Sequence, residues 1–428
     1  MFHYKLSVAA LALFSGAVVA AEVAAGSDDQ RLQAFEQRLE RFENELLVKV
    51  PASSANAFNP AIALILSGLY TNLSQSPEGY RIGGFALPED SETGPGGRGF
   101  SLGESELAIS ANIDPYLFGN LALALTPEGE VELEEGYIQT IALSHGLSIK
   151  AGRLFSGIGY LNVQHPHAWD FVDAPLVYQT LLGGQYGDDG VQLKWLAPTE
   201  TFVEIGVEAM RGSGFPASER DKNGSGAAAF FAHFGGDVGI SNSWRAGLSM
   251  LSSVAQGREV SDIDLVDAEV TNSFSGDSRL WIADFVWKYA PSGNAAYSNF
   301  KLQGEYLHRN ESGELTYDVG GSDNTADYDA KQSGWYLQSI YQFMPNWRVG
   351  LRGERLNVGT LEYGANSANM AAPSFNPSKQ SVMVDYRPSE FSRIRLQFTQ
   401  DKSRQDLTDN QAFLQYHMSL GAHGSHQF

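Results

Sequence analysis

The chain has 428 residues, of which 50 are acidic and 29 basic, a formal net charge of −21. So acidic a protein has little with which to neutralise phosphates, which argues against nucleic acid as a partner and against the gathering of anions. Zero cysteines exclude disulfides, thiolate metal sites and cysteine catalysis together, while 45 glycines, 18 tyrosines, 24 phenylalanines and 7 tryptophans suit many strands, tight turns and aromatic girdles.

Residues 1–21 read as a cleaved secretory signal: a cation at Lys5, an apolar stretch from Leu6 to Val19, then Ala20 and Ala21. The alternative, an anchoring helix, would need about 20 apolar residues and flanking charges. No later run of that length occurs, so an exported chain of this kind is periplasmic, secreted or an outer-membrane barrel. Over 28–50, Leu32, Phe35, Leu39, Phe42 and Leu46 recur at alternating steps of three and four, a short heptad seam. Two readings stand: a small periplasmic bundle that registers three protomers, or a lone amphipathic helix lying on a barrel mouth. Pro51 opens a small, polar linker over 51–60.

From residue 61 to 428 the pattern is all-β. Strands are predicted over 61–73, 102–113, 117–125, 131–143, 147–154, 190–196, 202–210, 227–235, 243–252, 279–289, 300–308, 333–343, 347–356, 380–387, 391–400 and 411–422. Tight connections marked by Pro, Gly or Asn, as at Asp114-Pro115 and Met344-Pro345-Asn346, mostly take turns with long polar ones. The long ones are read at about 74–100, 155–189, 211–226, 253–278, 309–332, 357–379 and 401–410. That is the grammar of a transmembrane antiparallel up-and-down β-barrel of about 16 strands with a short N-terminal periplasmic helix. At the end of the chain Leu414, Tyr416, Met418, Leu420, Ala422 and Phe428 share one parity, while Gln415, His417 and Ser419 share the other, and the chain closes on an aromatic residue. A water-soluble sandwich would alternate in the same way. Signal, terminal Phe, aromatic strand ends and strand count together favour the barrel.

If apolar rows such as Trp281, Ala283, Phe285, Trp287 and Tyr289 face lipid, the opposite rows line a lumen. A ring of this size holds an aqueous channel, whose selectivity rests on the charges at its narrowest point. The expected pore-lining residues are Glu104, Glu106, Glu132, Glu134, Glu204 and Glu208 early in the chain and Arg348, Arg352, Arg393 and Arg395 late in it. A transverse field between the acidic and basic rows is the sharper expectation, a wall charged only because it is wet the plainer one.

The connection FSGIGYLNVQHPHAWDFVDAPLVYQTLLGGQYG is less polar than an exposed loop should be, and is expected to fold against a wall or into the lumen as a constriction loop. Within it His165, His167, Trp169, Asp170 and Asp173 stand out. Two imidazoles and two carboxylates within nine residues suit zinc or a similar divalent cation, held by His165 and His167. Packing by Trp169 and Phe171, with the polar groups hydrogen-bonded, is the alternative. Beyond that candidate zinc no cofactor is expected.

The stretches FNPAIALIL, YLNVQHPHAWDFVDAPLVYQ and LGAHGSHQF resemble the bacterial family called zinc-regulated TonB-dependent outer-membrane receptors. More distantly, VELEEGYIQ and IKAGRLFSGIGY are similar to sixteen-strand phosphate-selective porins. The resemblance implies zinc-responsive expression and transport across the outer membrane. A TonB-dependent transporter also carries a large N-terminal plug, for which residues 22–60 leave no room. The chain is therefore read as a plugless, passive, porin-like channel for small hydrophilic solutes, divalent metal ions such as zinc among them. The rival is a plugless receptor that binds a ligand through its external loops. An outer-membrane enzyme is disfavoured, because Ser, His and acid candidates are scattered without a motif. Expected partners are outer-membrane lipid and lipopolysaccharide, the barrel-assembly machinery and two further copies in a homotrimer, with no nucleic acid.

Overall fold

The computed structural model describes residues 60–421 apart from 86, 88–92, 128, 219 and 220. The predicted signal (1–21), helix (28–50), most of the linker and Phe428 lie outside the described residues.

Sixteen antiparallel strand positions close into one ring. They are β1 (Ala61–Leu73), β2 in two segments (Gly99–Leu102 and Ser105–Asn112), β3 (Leu117–Leu125), β4 (Val131–Thr140), β5 (Leu147–Phe155), β6 (Gly187–Leu196), β7 (Phe202–Met210) and β8 (Ala227–Val238). The second half is β9 (Asn242–Ile263), β10 (Glu269–Tyr289), β11 (Asn299–Tyr317), β12 (Asn324–Met344), β13 (Trp347–Glu362), β14 (Ser378–Ser389), β15 (Ser392–Lys402) and β16 (Asp409–Gly421). Each strand pairs with the next, and β1 closes the ring on β16, with Tyr70 opposite Leu414. Closure leaves no sheet edge unpaired, which is what a strand surrounded by lipid requires.

Facing follows the two-residue period. Trp281 and Phe285 on β10 are 53 % and 45 % exposed on the outside, whereas Ile282, Asp284 and Val286 are buried inside. Aromatic pairs ring the tight-turn end: Trp347 lies 4.7 Å from Tyr386 and Trp287 5.8 Å from Phe300, centroid to centroid. Among the described residues no helix is long and apolar enough to cross a membrane; the strands do so instead.

Two connections expected as long polar loops, at 253–278 and 309–332, are largely strand, and the one at 357–379 begins with six residues of strand before its loop. The β9–β10 hairpin turns only at 264–268 and the β11–β12 hairpin at 318–323, while β13 runs on to Glu362. Here the outer face meets water, so the apolar row that marks a strand elsewhere is missing, while ladder pairing continues regardless. The inner row persists and gathers Ala255, Val270, Phe274, Leu315, Tyr317 and Tyr363 into a cluster of its own.

The interior is not an open tube. Residues 156–186, between β5 and β6, fold into the lumen and carry a helix, α1 (Leu176–Leu182), whose seven residues are all buried. Ile158, Leu161, Val177, Tyr178, Leu181 and Leu182 pack on the inward side chains of the wall, among them Leu280, Ile282, Leu307 and Leu356. Ile82 and Phe85 of the first long connection join them. The aqueous channel expected from the strand count is thus reduced by an apolar core inside the barrel.

Candidate functional site

The inserted segment is fixed first at its root. Asn162 spans its two ends, donating from Nδ2 to the carbonyls of Ser156 (2.9 Å) and Tyr186 (2.8 Å) and accepting from Tyr186 N (2.8 Å). Glu208 of β7 accepts from Ser156 Oγ (2.5 Å), Gly157 N (2.8 Å) and Gln192 Nε2 (2.7 Å). Beside it the Phe231 ring lies against Gly157 and Gly206, and a Cβ on either glycine would fall inside the ring's van der Waals envelope. Gly206→Ala is therefore expected to cost about 1–3 kcal/mol by overpacking. Thermal unfolding in detergent checks this; an unchanged midpoint would show that the ring has room to move.

Against the far wall the anchoring is ionic. Glu305 of β11, fully inside, accepts four hydrogen bonds: from Tyr160 N (3.2 Å), Leu161 N (2.9 Å), Tyr178 OH (2.9 Å) and Tyr336 OH (2.6 Å). Asp170 pairs with Lys301 and with Arg348 (3.0 Å), and Asp173 with Lys379 and with Arg352 (2.8 Å). Arg395 donates to the Trp169 carbonyl (2.9 Å) and to Asp385 (2.8 Å), and Arg393 to the His167 carbonyl (3.1 Å). Burial pushes the Asp170 and Asp173 carboxyls up. The cations outweigh it, Lys301 and Arg348 at the first and Arg352 and Lys379 at the second, and hold both well below the usual carboxylate range.

Arg348, Arg352, Arg393 and Arg395 therefore lie on the inner face, yet all are buried, and Arg395 is 0 % exposed. Arg348, Arg352 and Arg395 pair with Asp170, Asp173, Glu354 and Asp385, while Arg393 donates to backbone carbonyls of the segment. The expected transverse field is corrected accordingly: its basic side is buried as a clamp on the inserted segment. Asp170 and Asp173 are committed to cations and so are not metal ligands, which leaves His165 and His167 as the candidate donors of the segment.

The near wall is acidic. His165 Nδ1 lies 3.0 Å from Glu106 Oε2 and 3.2 Å from Glu134 Oε2, its Nε2 3.3 Å from Glu135 Oε2, and His167 Nδ1 is 3.0 Å from the same Glu106 oxygen. Burial pushes the His165 imidazolium down, but hydrogen bonds to Glu106, Glu134 and Glu135 outweigh it and keep the ring protonated well above its ordinary value. Glu135 was not anticipated. A β-bulge opposite Ala122 and Leu123 lets both Glu134 and Glu135 reach inward. Its trace is in the sequence: Val131 and Leu133 face out on odd numbers, yet Ile138 does so on an even one.

The remaining acidic positions are apart from this cluster. Glu104 sits half-buried at the break in β2, and Glu132 is exposed near the start of β4. Glu204 pairs with Lys194 (2.8 Å) and His233 (3.2 Å). Lys194 and Glu204 keep 24 % and 17 % of their side chains accessible. At the tight-turn end a cavity of about 720 Å³ opens, bordered by Asp237, Lys288, Lys301 and Arg348.

A closed sixteen-strand barrel, apolar outside and with a segment folded into a charged lumen, is an architecture that outer-membrane porins share, and this protein is an outer-membrane β-barrel. Solved structures agree in fold: an anion-selective porin from Comamonas acidovorans (TM-score 0.52, 10 % identity, 85 % of this chain and 99 % of that one). A loop L8 deletion mutant of OmpT, an outer membrane protein of Vibrio cholerae, matches similarly (TM-score 0.50, 11 % identity, 85 % and 100 %). The chain belongs to the family of an uncharacterized protein from Aquifex aeolicus (strain VF5), with which it shares 30 % identity over 421 residues, 92 % of this chain and 84 % of the relative. No family model matches it.

Proposed function

We propose that the protein is a passive outer-membrane channel of narrow bore that passes small hydrophilic solutes, divalent metal ions such as zinc among them, and that it works as a homotrimer. One observation supports the reading above the rest: a cavity of about 720 Å³ bordered by Asp237, Lys288, Lys301 and Arg348 opens at the tight-turn end, the periplasmic end in this reading, and the inner wall carries the partly accessible pair Lys194 and Glu204. Solutes would move along that charged side, and charges at the narrowest point would sort them. The metal part draws on the histidine loop and on the resemblance of QHPHAWDF to zinc-regulated receptors; the trimer draws on the heptad seam at 28–50.

The test is single-channel recording of the purified protein in planar bilayers, with zinc, phosphate and small sugars as blockers. Small, ohmic steps that zinc reduces are expected. Protein that inserts and opens no steps overturns the channel and leaves the ligand-binding barrel.

A further inference from the structure

We propose that Glu106, His165 and His167, with Glu134 as fourth donor, bind one divalent transition-metal cation that clasps the inserted segment to the barrel wall. The donor atoms of Glu106, His165 and His167 all lie within 4.8 Å of one another. Glu106 Oε2 stands 3.0 Å from both Nδ1 atoms, and Glu134 Oε2 3.2 Å from that of His165. A tetrahedral ion with donors at about 2.0–2.1 Å sets them about 3.3 Å apart, so the side chains need little movement to close on one.

The kind of ion follows from the donors. Two imidazoles with carboxylates favour zinc and its neighbours in the first transition row, whereas calcium and magnesium take oxygen almost alone. The outer partner is present as well. Glu135 Oε2 reaches His165 Nε2 at 3.3 Å while its Oε1 accepts from Phe155 N at 3.1 Å. A carboxylate on the far nitrogen of a ligating histidine fixes its tautomer and strengthens it as a donor.

Local geometry presents the rings together. Pro166 opens a 3-10 turn over Pro166–Ala168, and the His165 and His167 rings lie 5.5 Å apart with 22° between their planes. Glu106 comes from β2 and Glu134 from the bulge of β4, so an ion here would join three separate parts of the chain.

The experiment uses the full chain in detergent, stripped with chelator and titrated with zinc, then with cobalt(II). Wild type is expected to take up one zinc ion per chain and to give the intense visible absorption of four-coordinate cobalt. Glu106→Gln and His167→Gln should each weaken zinc binding at least tenfold and lose the cobalt signal, while Glu314→Gln, on an exposed outer position, changes neither. Heat-modifiable migration shows which variants remain folded barrels; if Glu106→Gln does not fold, Glu135→Gln, one step from the ion, is expected to weaken binding by about tenfold or more. No zinc uptake, or uptake indifferent to these substitutions in folded protein, overturns the site. Because binding is read without a pore, a protein that holds zinc and conducts nothing refutes only the channel, and one that conducts without zinc refutes only the site.

Discussion

Excising residues 159–183 and joining the ends with a short glycine bridge is expected to raise single-channel conductance several-fold. The segment fills the middle of the ring with Leu161, Trp169, Leu176, Val177, Leu181 and Leu182. The wall does not depend on it: β5 pairs with β6 from Leu147–Trp195 to Phe155–Gly187, all outside the excised stretch. Sixteen strands without a filling leave an aqueous channel, into which Glu305, Arg348, Arg352 and Lys379, now anchoring the segment, would turn as solvated charges. Leu280, Ile282 and Leu307 would meet water and lower the thermal midpoint. Unchanged conductance in a folded deletion variant would mean that the segment is not the constriction.

Why part of this was legible and part was not comes down to what the outside of each strand touches. Where the outer face meets lipid, apolar residues recur every second position, and strands such as β7 and β15 are readable nearly to their ends. Above the lipid the same ladders continue with Ser, Asp, Thr and Gly outside, so the upper halves of β9 to β13 looked like loops. The segment's entry into the lumen was legible from its own composition, since Trp169, Phe171 and Leu176 have no place in a solvated loop. Its partners were not, because the Asp170–Arg348 and Asp173–Arg352 pairs join positions 178 and 179 apart in the chain, and no local pattern records them. The histidine cluster was half legible: two imidazoles two residues apart are visible, but nearby Asp170 and Asp173 were the natural choice of partner. The carboxylates in reach come instead from β2 and from a bulge in β4. Glu305 was open to parity alone, since Tyr306 faces out beside it.

Asp170→Asn combined with Asp173→Asn is expected to release the segment. Removing one partner of a buried ion pair costs about 3–5 kcal/mol, because the other charge stays buried without compensation. Here Lys301 and Arg348 lose one carboxylate and Arg352 and Lys379 the other. The two partner sets are distinct, so the costs should largely add, less any coupling through Asp385, which also holds Arg348. The segment should become cleavable between 159 and 183 while the ring, with its ladder intact, persists. The pH dependence has a definite sign. Both carboxyls are depressed in the folded protein, so the stabilisation is in full force above the unfolded value near 4 and disappears only as pH falls through the lower folded values. Wild-type protein should therefore protect the segment from pepsin at pH 4 as it does from a neutral protease at pH 7, losing protection only in stronger acid, whereas the double variant is cleaved throughout. Loss of wild-type protection already between pH 5 and pH 4 would mean that these carboxylates titrate as free ones do, and that the arginine clamp does not hold the segment in place.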